Sequence, residues 1–388
     1  MLPPKAVRVI IAGGGTGGHV IPALSIGEAL KQRNPESELL FIGSDRGIEA
    51  EMIRGAGYRL EEFGGKGLPR RFSLETVRNL WGLYQNYLRI HVILTAFKPD
   101  VLVGTGGYVM APAVIAARRN KVPIVLQEQN SVPGRANKFL ARYASEIHIH
   151  FSEARAYFKD RGKLRLSGNP VRVSMPEGRA HRTLQAFRLQ SDRKTVVVLG
   201  GSLGARSLNE AFKEMLHHFR GDHSVQFVIQ TGKADYDSVL NAVKDSQVRV
   251  VVKSFLKNME EIYSIADLVV ARSGAMTVSE LSACGLPSIL VPYPHAMNNH
   301  QRASAKALAD KGAAVMLPDE DLSGKSLAIA VKQLLADPAK LRGMARNAYG
   351  LNRPHAAMRI AESVERVGGG APQAVLHLPE EYDKEPEV

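Results

Sequence analysis

A glycine-rich string near the start of the chain, GGGTGGH at 13–19, has residue types suited to holding a phosphate. It contains G-x-G-x-x-G as Gly13, Gly15 and Gly18, between a short β-branched run and a helical pattern. Glycines at such a turn let backbone N–H groups reach an anion at a helix N-terminus. A tight packing turn without a ligand uses the same spacing, so both interpretations stay open.

His19 closes this string where the helix is predicted to start. The positive end of a helix dipole disfavours an imidazolium, so we expect a neutral imidazole that can serve as a general base. A capping or core histidine is the alternative.

Two more strings follow predicted strand ends in the same half of the chain, GTGGY at 104–108 and QEQN at 127–130. Ligands of open parallel sheets bind beyond the carboxyl ends of the strands. The three loops therefore predict one site, with Tyr108, Glu128 and Asn130 as candidate side chains. Glu128 and Asn130 are equally suited to turn and cap positions.

The second half repeats the pattern with GGSLGAR at 200–206 and RSGAMTVSEL at 272–281. Ser202 can bond a phosphate oxygen, and small residues at the predicted helix start present backbone N–H groups to a diphosphate. Glu280, about one turn into that helix, is placed to accept hydrogen bonds from ribose hydroxyls. An ordinary capped helix has the same residue types.

Metal chemistry has weaker support in the sequence. Two D-x-D strings, Asp235 with Asp237 and Asp319 with Asp321, have a spacing that suits a divalent cation, but both lie in turn-like stretches that favour cap roles. The sequence contains no H-E-x-x-H motif, no complete P-loop motif and no Cys/His cluster. The single cysteine, Cys284, excludes an intramolecular disulfide and fits a reducing compartment. We expect neither a metal nor a cofactor.

The segment RRFSLETVRNLWGLYQNYLRI at 70–90 combines basic and apolar residues. Apolar side chains rimmed by Lys and Arg are typical of a peripheral membrane patch. A core helix with a solvated basic face is the alternative. A second basic and apolar group lies at 138–142. The candidate membrane residues are Arg70, Arg71, Phe72, Leu80, Trp81 and Tyr84.

Short β-branched runs alternate with helical patterns, which predicts parallel sheets covered by helices on both faces. A polar break at 167–195 separates two such series. The predicted fold class is α/β, with two doubly wound domains that each open with a strand and a glycine-rich loop. Predicted strands occupy 7–12, 39–42, 101–103, 124–126, 147–149, 195–199, 226–230, 248–252, 268–270 and 288–291, and a predicted helix occupies 20–31.

Length and charge agree with two domains that bind anions. The chain has 388 residues, against roughly 150 for one domain. Its 45% hydrophobic and 23% charged residues exclude a disordered chain. No apolar run reaches the roughly 18 residues that span a bilayer, and the run before the first glycine loop is too short for a signal peptide. The net charge of +13 lies mostly in residues 1–170, with 24 basic and 14 acidic side chains, and it suits nucleic acid, phosphorylated ligands or a membrane surface.

In chain order, the strings GGTGGH, GGY, QEQN, GNPVR, GGSLGAR, SGAMTVSE and a later HQ pair resemble the family-28 glycosyltransferases of bacterial peptidoglycan synthesis, over residues 7–367. The resemblance implies the GT-B architecture, two Rossmann-like domains facing across a cleft. It places an acceptor and membrane-associating domain at 1–170, joined by a C-terminal segment at about 350–367, and a UDP-N-acetylglucosamine-binding domain at 171–349. The composition of residues 368–388 predicts a disordered tail outside the resemblance.

The resemblance also implies roles for individual residues. Ser202 and the backbone of residues 275–277 would bind the diphosphate, Glu280 the ribose and Arg172 the nucleotide side. The Leu256 backbone would meet the uracil edge, and Gln301 would contact the sugar. From the first domain, Thr16 to Gly18 and Asn130 would close on the donor. The implied substrate-binding set is Thr16, Gly17, Gly18, Asn130, Arg172, Ser202, Leu256, Ala275, Met276, Thr277, Val278, Ser279, Glu280 and Gln301.

The implied reaction is an inverting transfer. The C4 hydroxyl of an undecaprenyl-diphosphate-linked N-acetylmuramoyl-pentapeptide, lipid I, attacks the anomeric carbon of UDP-N-acetylglucosamine; UDP leaves and lipid II forms. His19 is the candidate base, with Gly14, Tyr108 and Glu128 on the acceptor side. Helix N-termini would stabilise the diphosphates without a metal.

The implied location is the cytoplasmic face of the bacterial inner membrane, where the protein would be peripheral and contact anionic lipid. Other cell-wall synthesis proteins are further candidate partners, and nucleic acid is not expected. A nucleic-acid-binding protein would carry a basic stripe with base-stacking aromatic residues, or a recognisable binding motif, whereas aromatic residues make up only 6% of this chain.

A nicotinamide or flavin oxidoreductase would also use G-x-G-x-x-G, but it needs an acidic residue closing the second strand. Here Asp45 lies past a Gly-Ser turn. A non-catalytic scaffold would have no use for so many phosphate-cradle loops.

Overall fold

The chain forms two units, one from Met1–Val171 with Arg353–Val388 and one from Arg172–Asn352. Each is a parallel sheet with helices, so the predicted α/β class is confirmed. Thr16, Ser202, Arg70, Arg71, Phe72 and most of the predicted tail lie outside the described residues. The computed structural model describes residues 5–14, 17–45, 48–64, 74–172, 179–201, 203–244 and 246–369.

The first unit has a seven-stranded sheet. Val9 and Ile11 of its first strand pack on one face of the sheet, and Ile10 and Ala12 pack on the other. This alternation buries both faces, as a parallel sheet requires. The elements are β1 (Arg8–Gly13), α1 (Gly17–Arg33), β2 (Glu38–Ser44), α2 (Ile48–Gly55), β3 (Arg59–Phe63), α3 (Leu74–Phe97), β4 (Val101–Gly106), α4 (Met110–Arg119), β5 (Ile124–Glu128), α5 (Arg135–Leu140), β6 (Glu146–Ile149) and β7 (Leu164–Leu166).

The second unit has a six-stranded parallel sheet. Val196, Val198, Phe227 and Val270 line one of its faces in a single apolar cluster. The elements are α6 (Arg179–Ala186), β8 (Lys194–Leu199), α7 (Arg206–Met215), β9 (Val225–Gln230), α8 (Tyr236–Lys244), β10 (Val250–Lys253), α9 (Met259–Ser264), β11 (Leu268–Ala271), α10 (Ala275–Ala283), β12 (Ser288–Leu290), α11 (His300–Asp310), β13 (Ala314–Met316), α12 (Gly324–Leu335) and α13 (Pro338–Gly350).

The last helix, α14 (Ala356–Val367), belongs to the first unit and packs against α1. The Arg33 guanidinium lies 2.9 Å from Glu362 and 3.0 Å from Glu365. Arg366 lies 2.7 Å from the buried Glu146 at the start of β6. These ion pairs hold the end of the described chain on the first sheet.

Strand order fixes where a ligand can bind in each sheet. The orders are β3-β2-β1-β4-β5-β6-β7 and β10-β9-β8-β11-β12-β13. The order reverses between β1 and β4, and again between β8 and β11. Open parallel sheets bind ligands beyond the strand ends at such switch points. Each of these four strands is followed by one of the glycine-containing strings.

Candidate active site

The two glycine-rich loops of the first unit lie against each other at the β1/β4 switch point. The Gly14 N–H donates to the Gly106 carbonyl at 3.3 Å. A Cβ on Gly107, whose φ is +87°, would lie 1.8 Å from the Gly14 oxygen. No other residue type permits this approach. Gly14, Gly106 and Gly107 therefore form one surface of the site, which we call the glycine floor.

His19 lies in the first turn of α1, partly exposed, beside this floor. Its backbone carbonyl accepts a hydrogen bond from the buried Thr105 hydroxyl at 2.9 Å. A Cβ on Gly106 would lie 2.5 Å from His19 Nδ1, so the imidazole packs directly on the last residue of β4. The predicted helix start at residue 20 is three residues late, and His19 is therefore inside the helix.

Glu128 is buried at the end of β5, where N–H donors surround its carboxylate. One oxygen accepts from the Asn130 backbone and side-chain nitrogens, each at 2.9 Å. The other accepts from Gly134 N at 3.0 Å and Asn137 Nδ2 at 2.7 Å. Four donors fix the loop between β5 and α5. This geometry favours the turn and cap role for Glu128, while its place on the side of the acceptor substrate stays a prediction.

Buried amides connect the neighbouring loops of the first unit. Gln129 Nε2 donates to the Thr105 carbonyl at 2.6 Å, and Gln127 Nε2 donates to Asn169 Oδ1 at 2.9 Å. Asn169 Nδ2 in turn donates to the Gln129 carbonyl at 3.1 Å. The QEQN and GNPVR strings therefore meet, which brings three loops to one site. Thr105 and Asn169 were absent from the predicted site residues.

Tyr108, the other predicted acceptor-side residue, donates its hydroxyl proton to the Phe63 carbonyl at 2.9 Å. The Ser44 hydroxyl lies 3.1 Å from the Tyr108 hydroxyl oxygen. The phenol therefore joins the ends of β2, β3 and β4, next to the glycine floor.

In the second unit, the loop after β8 packs on the end of β9. Gly204 has a φ of +83°, and a Cβ there would lie 2.1 Å from the Thr231 carbonyl. Gln230 Nε2 donates to the Gly201 carbonyl at 2.8 Å, and its Oε1 accepts from Leu256 N at 2.8 Å. The backbone of Leu256 was predicted to meet the uracil edge, and its N–H has an internal acceptor.

The α10 N-terminus follows β11 at the switch point. Its cap residue, Gly274, is extended and has no side chain with which to cap the first-turn N–H groups, which have no partner inside the helix. The Val278 N–H already donates to Gly274 O at 3.0 Å, and Ser279 Oγ donates to Ala275 O at 2.8 Å. Among the predicted residues of this helix, the geometry therefore favours Ala275 to Thr277 for anion binding, and structural roles for Val278 and Ser279.

Glu280 lies on α10 and is partly exposed. Burial raises the pKa of its carboxyl to about 7, although the hydrogen bond from Tyr263, at 2.8 Å, acts in the opposite direction. The raised pKa brings the ionisation of this carboxyl close to neutral pH, and the carboxyl can gain from a hydrogen-bond donor that a ligand brings.

Gln301 Oε1 accepts from Tyr293 N at 2.9 Å, which directs the side chain onto the loop after β12. The Gln301 carbonyl accepts from the buried Ser273 hydroxyl at 2.9 Å, so α10 and α11 are joined where both begin. Arg172 is exposed at the start of the second unit.

Both D-x-D strings have structural partners. The nearly buried Arg272 guanidinium lies 2.6 Å from Asp319 Oδ1 and 2.6 Å from Ser207 Oγ. Asn209 Nδ2 donates to Asp235 Oδ2 at 2.9 Å. Within the described residues, no group of three or more His, Cys, Asp or Glu side chains could hold a metal ion.

The helix α3 has two different faces. Ile90 and Leu94 are buried in the core of the first unit, on the side of α4. Several large apolar side chains at helical spacing are exposed, and a solvated basic face does not account for them. They are Leu80 at 47%, Trp81 at 61%, Tyr84 at 50%, Leu88 at 45% and Val92 at 67%. None of the helices in the described part of the chain is long and apolar enough to cross a bilayer.

Comparison with known proteins agrees with this architecture. The glycosyltransferase family 28 N-terminal domain matches residues 9–149, and the C-terminal domain of the same family matches residues 195–364. A protein of Desulforamulus reducens is 39% identical over 367 residues, which are 93% of this chain and 99% of that protein. It is named UDP-N-acetylglucosamine–N-acetylmuramyl-(pentapeptide) pyrophosphoryl-undecaprenol N-acetylglucosamine transferase.

This chain belongs to glycosyltransferase family 28. A Desulfitobacterium hafniense protein with the same transferase name is 41% identical, covering 91% of this chain and 97% of that protein. The crystal structure of Acinetobacter baumannii MurG has a TM-score of 0.72 at 24% identity, covering 93% of this chain and 99% of MurG. The predicted GT-B class of two Rossmann-like domains is confirmed, and this family-28 member is a glycosyltransferase.

The same fold occurs outside the family. The UDP-GlcNAc 2-epimerase of Neisseria meningitidis, solved with UDP-GlcNAc bound, has a TM-score of 0.67 at 14% identity and covers 92% of this chain and 100% of the epimerase. At that identity the likeness concerns the fold alone. The family-28 assignment therefore rests on the sequence relatives, and the roles of individual residues must be argued from the site.

Proposed function

We propose that this chain transfers N-acetylglucosamine from UDP-N-acetylglucosamine to the C4 hydroxyl of the N-acetylmuramoyl-pentapeptide of lipid I, giving lipid II. The supporting observation is that two transferases carrying that name match nearly the whole chain, at 39% and 41% identity. The chain has two switch-point sites and the reaction has two substrates, and each substrate carries a diphosphate of the kind that such a site can bind.

The donor site we propose is the β8/β11 switch point of the second unit. The first-turn N–H groups at Ala275 to Thr277, which Gly274 does not cap, suit the diphosphate, whose negative charge the positive helix end stabilises. Glu280, further along the same helix, suits the ribose hydroxyls because a carboxylate accepts two hydrogen bonds. Ser202, outside the described residues, would add a hydroxyl from the neighbouring loop. Gln301 would contact the sugar.

The acceptor site we propose is the β1/β4 switch point of the first unit, where the N-terminal turn of α1 faces the glycine floor. Gly17 and Gly18 offer first-turn N–H groups to a diphosphate. Glu128 and Tyr108, the predicted acceptor-side side chains, border the same loops. Thr16, which the resemblance assigns to the donor, lies outside the described residues.

His19 is the proposed general base. It takes the proton from the C4 hydroxyl as that oxygen attacks the anomeric carbon; the bond from this carbon to the diphosphate oxygen breaks, and UDP departs with the electron pair. A direct displacement of this kind inverts the anomeric configuration. The developing negative charge on the diphosphate is stabilised by the α10 N-terminus.

The exposed face of α3 is the proposed contact with the cytoplasmic leaflet of the inner membrane. Trp81 and Tyr84 lie 5.8 Å apart, and such aromatic side chains favour the headgroup region of a bilayer. The basic Arg70 and Arg71, just before the helix, would add attraction to anionic lipid. The helix would lie on the membrane as a peripheral contact, close to a lipid-linked acceptor.

The test is transfer of radiolabelled N-acetylglucosamine to purified lipid I, with UDP-N-acetylgalactosamine as the competing donor. We expect label in lipid II and strong preference for the gluco donor. Absence of transfer would overturn the proposed reaction, and equal use of both donors would overturn the proposed donor specificity.

A further inference from the structure

The Glu280 carboxylate has a buried partner that none of the sequence motifs marks. Tyr263 on α9 is 1% exposed and is among the largest fully buried side chains. Its hydroxyl donates to Glu280 Oε2 at 2.8 Å. In the described residues this is the hydrogen bond that anchors the Glu280 side chain.

We propose that Tyr263 is a positioning residue for nucleotide binding: its hydroxyl holds the Glu280 carboxylate in the orientation and charge state that receives the ribose diol. This inference rests on the proposed donor site, in which Glu280 meets the ribose.

The orientation argument follows from the two side chains. A glutamate has three side-chain torsions, and a partly exposed one samples several rotamers unless a contact fixes it. The Tyr263 ring is fully buried, which restricts its side-chain torsions, so its hydroxyl is a well-positioned donor. With Oε2 held by Tyr263, the second oxygen and the remaining lone pair of Oε2 stay available for the two hydroxyls of a ribose.

The charge argument concerns the same hydrogen bond. Burial raises the pKa of Glu280 to about 7, and among the described residues Tyr263 is the titratable neighbour that lowers it again. A neutral carboxyl accepts hydrogen bonds more weakly than a carboxylate does. Burial also raises the pKa of the nearby Cys284 to about 12, so this thiol stays neutral at physiological pH. Removing the phenol hydroxyl should therefore move the ionisation of Glu280 to higher pH.

Titration calorimetry of the full chain tests the proposal, with UDP and 2′-deoxy-UDP as probes. Four proteins are compared: the natural chain, Tyr263→Phe, Glu280→Gln and the double variant. At pH 7 we expect Tyr263→Phe to weaken UDP binding about 5- to 10-fold, the usual effect of one lost hydrogen bond. We expect a smaller loss for 2′-deoxy-UDP and almost no further loss in the Glu280→Gln background.

The pH dependence gives a second readout that a merely structural role would not move. UDP affinity of the natural chain should rise as pH rises through about 7, because Glu280 ionises. In Tyr263→Phe the same rise should occur at higher pH. Tyr236→Phe, which removes a phenol hydroxyl from α8 of the same unit, is the matched control and should bind UDP as the natural chain does.

Two results would overturn the proposal in distinguishable ways. Suppose that Glu280→Gln weakens UDP binding. If Tyr263→Phe then has no effect, or weakens UDP binding equally in the natural chain and in the Glu280→Gln variant, the positioning role of Tyr263 is wrong and the ribose role of Glu280 stands. If Glu280→Gln binds UDP and 2′-deoxy-UDP as the natural chain does, the ribose role is wrong and the inference fails with it.

Discussion

The two switch-point sites use carboxylates in opposite ways. In the first unit, Glu128 is buried and accepts four N–H hydrogen bonds from its own loop. In the second, Glu280 is partly exposed, accepts from Tyr263, and has a pKa raised to about 7. A carboxylate already supplied with donors shapes a site, whereas one with capacity left can bind a ligand. The hydrogen-bond count distinguishes these roles where the sequence could not.

The units also differ in what they present to solvent. The first carries the exposed apolar face of α3 and has 24 basic against 14 acidic side chains in residues 1–170. Residues 171–388 are nearly balanced, with 27 basic and 24 acidic side chains. Residues 353–388, which belong to the first unit, carry 4 basic and 7 acidic side chains, so the two units differ little in net charge, +7 against +6. The exposed apolar face of α3 is therefore the difference that fits a first unit in contact with a lipid surface.

The largest expected effect is in the first unit. His19→Ala should lower kcat about 10²- to 10⁴-fold, because it removes the proposed general base, and should leave UDP affinity unchanged. Initial rates at saturating donor measure this. His217→Ala, an exposed histidine of the second unit, is the control. Near-normal turnover by His19→Ala would end the base assignment.

Glu280→Gln should have the complementary effect in the second unit. Loss of charged hydrogen bonds to ribose should raise the donor KM about 10- to 100-fold at pH 8, with a much smaller change in acceptor KM. Steady-state kinetics with each substrate varied in turn measure the split. A rise confined to the acceptor KM would reverse the assignment of the two sites.

Replacing Trp81 and Tyr84 by serine should weaken binding to anionic phospholipid vesicles about 10-fold or more, since burial of each aromatic ring in the interface is lost. Vesicle sedimentation measures this. Tyr349→Ser, whose side chain is 64% exposed on α13 of the second unit, is the matched control. Parallel loss of UDP affinity would show that the α3 face is structural.

Glu128→Gln should act through the fold of its loop. The amide NH₂ would face two N–H donors, so two of the four hydrogen bonds are lost, and the free energy of unfolding should fall by about 2–3 kcal/mol. Urea denaturation measures this, with the exposed Glu153→Gln as control. An unchanged unfolding midpoint would remove the structural role.

The smallest expected effect is a gain in stability. The folded-state pKa of Glu280 is raised, so its contribution to stability is present below the unfolded pKa of 4.5 and is lost as pH rises through about 7. Glu280→Gln has no carboxyl to ionise at this position, so it should not lose this stability. Its melting temperature at pH 8 should be roughly 2–4 °C above that of the natural chain. The gain should disappear near pH 4, as thermal unfolding across this pH range would reveal.

The sequence predicted the buried strands well, because β-branched runs between glycine loops are a strong local signal. It missed β3, β7 and β13. RLEEF in β3 carries three charged residues, and β7 and β13 have three residues each, too short for a periodic pattern. One predicted strand, 248–252, lies at 250–253.

The candidate site was predictable to the level of loops. Strings that follow strands must lie at the carboxyl edge of a parallel sheet, so the position of Gly14, His19 and Ala275 at these edges was predictable. Thr105, Asn169 and Tyr263 were not, because their partners are distant in sequence and depend on strand order. The alternation of strand and helix patterns along the sequence does not indicate which loop a buried hydroxyl or amide group will contact.

The claim that the second unit binds the nucleotide, and the first does not, is tested most directly by titrating UDP into Glu280→Gln and Glu128→Gln at pH 8. The account predicts a 10-fold or greater loss of UDP affinity in Glu280→Gln, and near-natural affinity in Glu128→Gln. Equal losses in both variants, or a loss confined to Glu128→Gln, would contradict it.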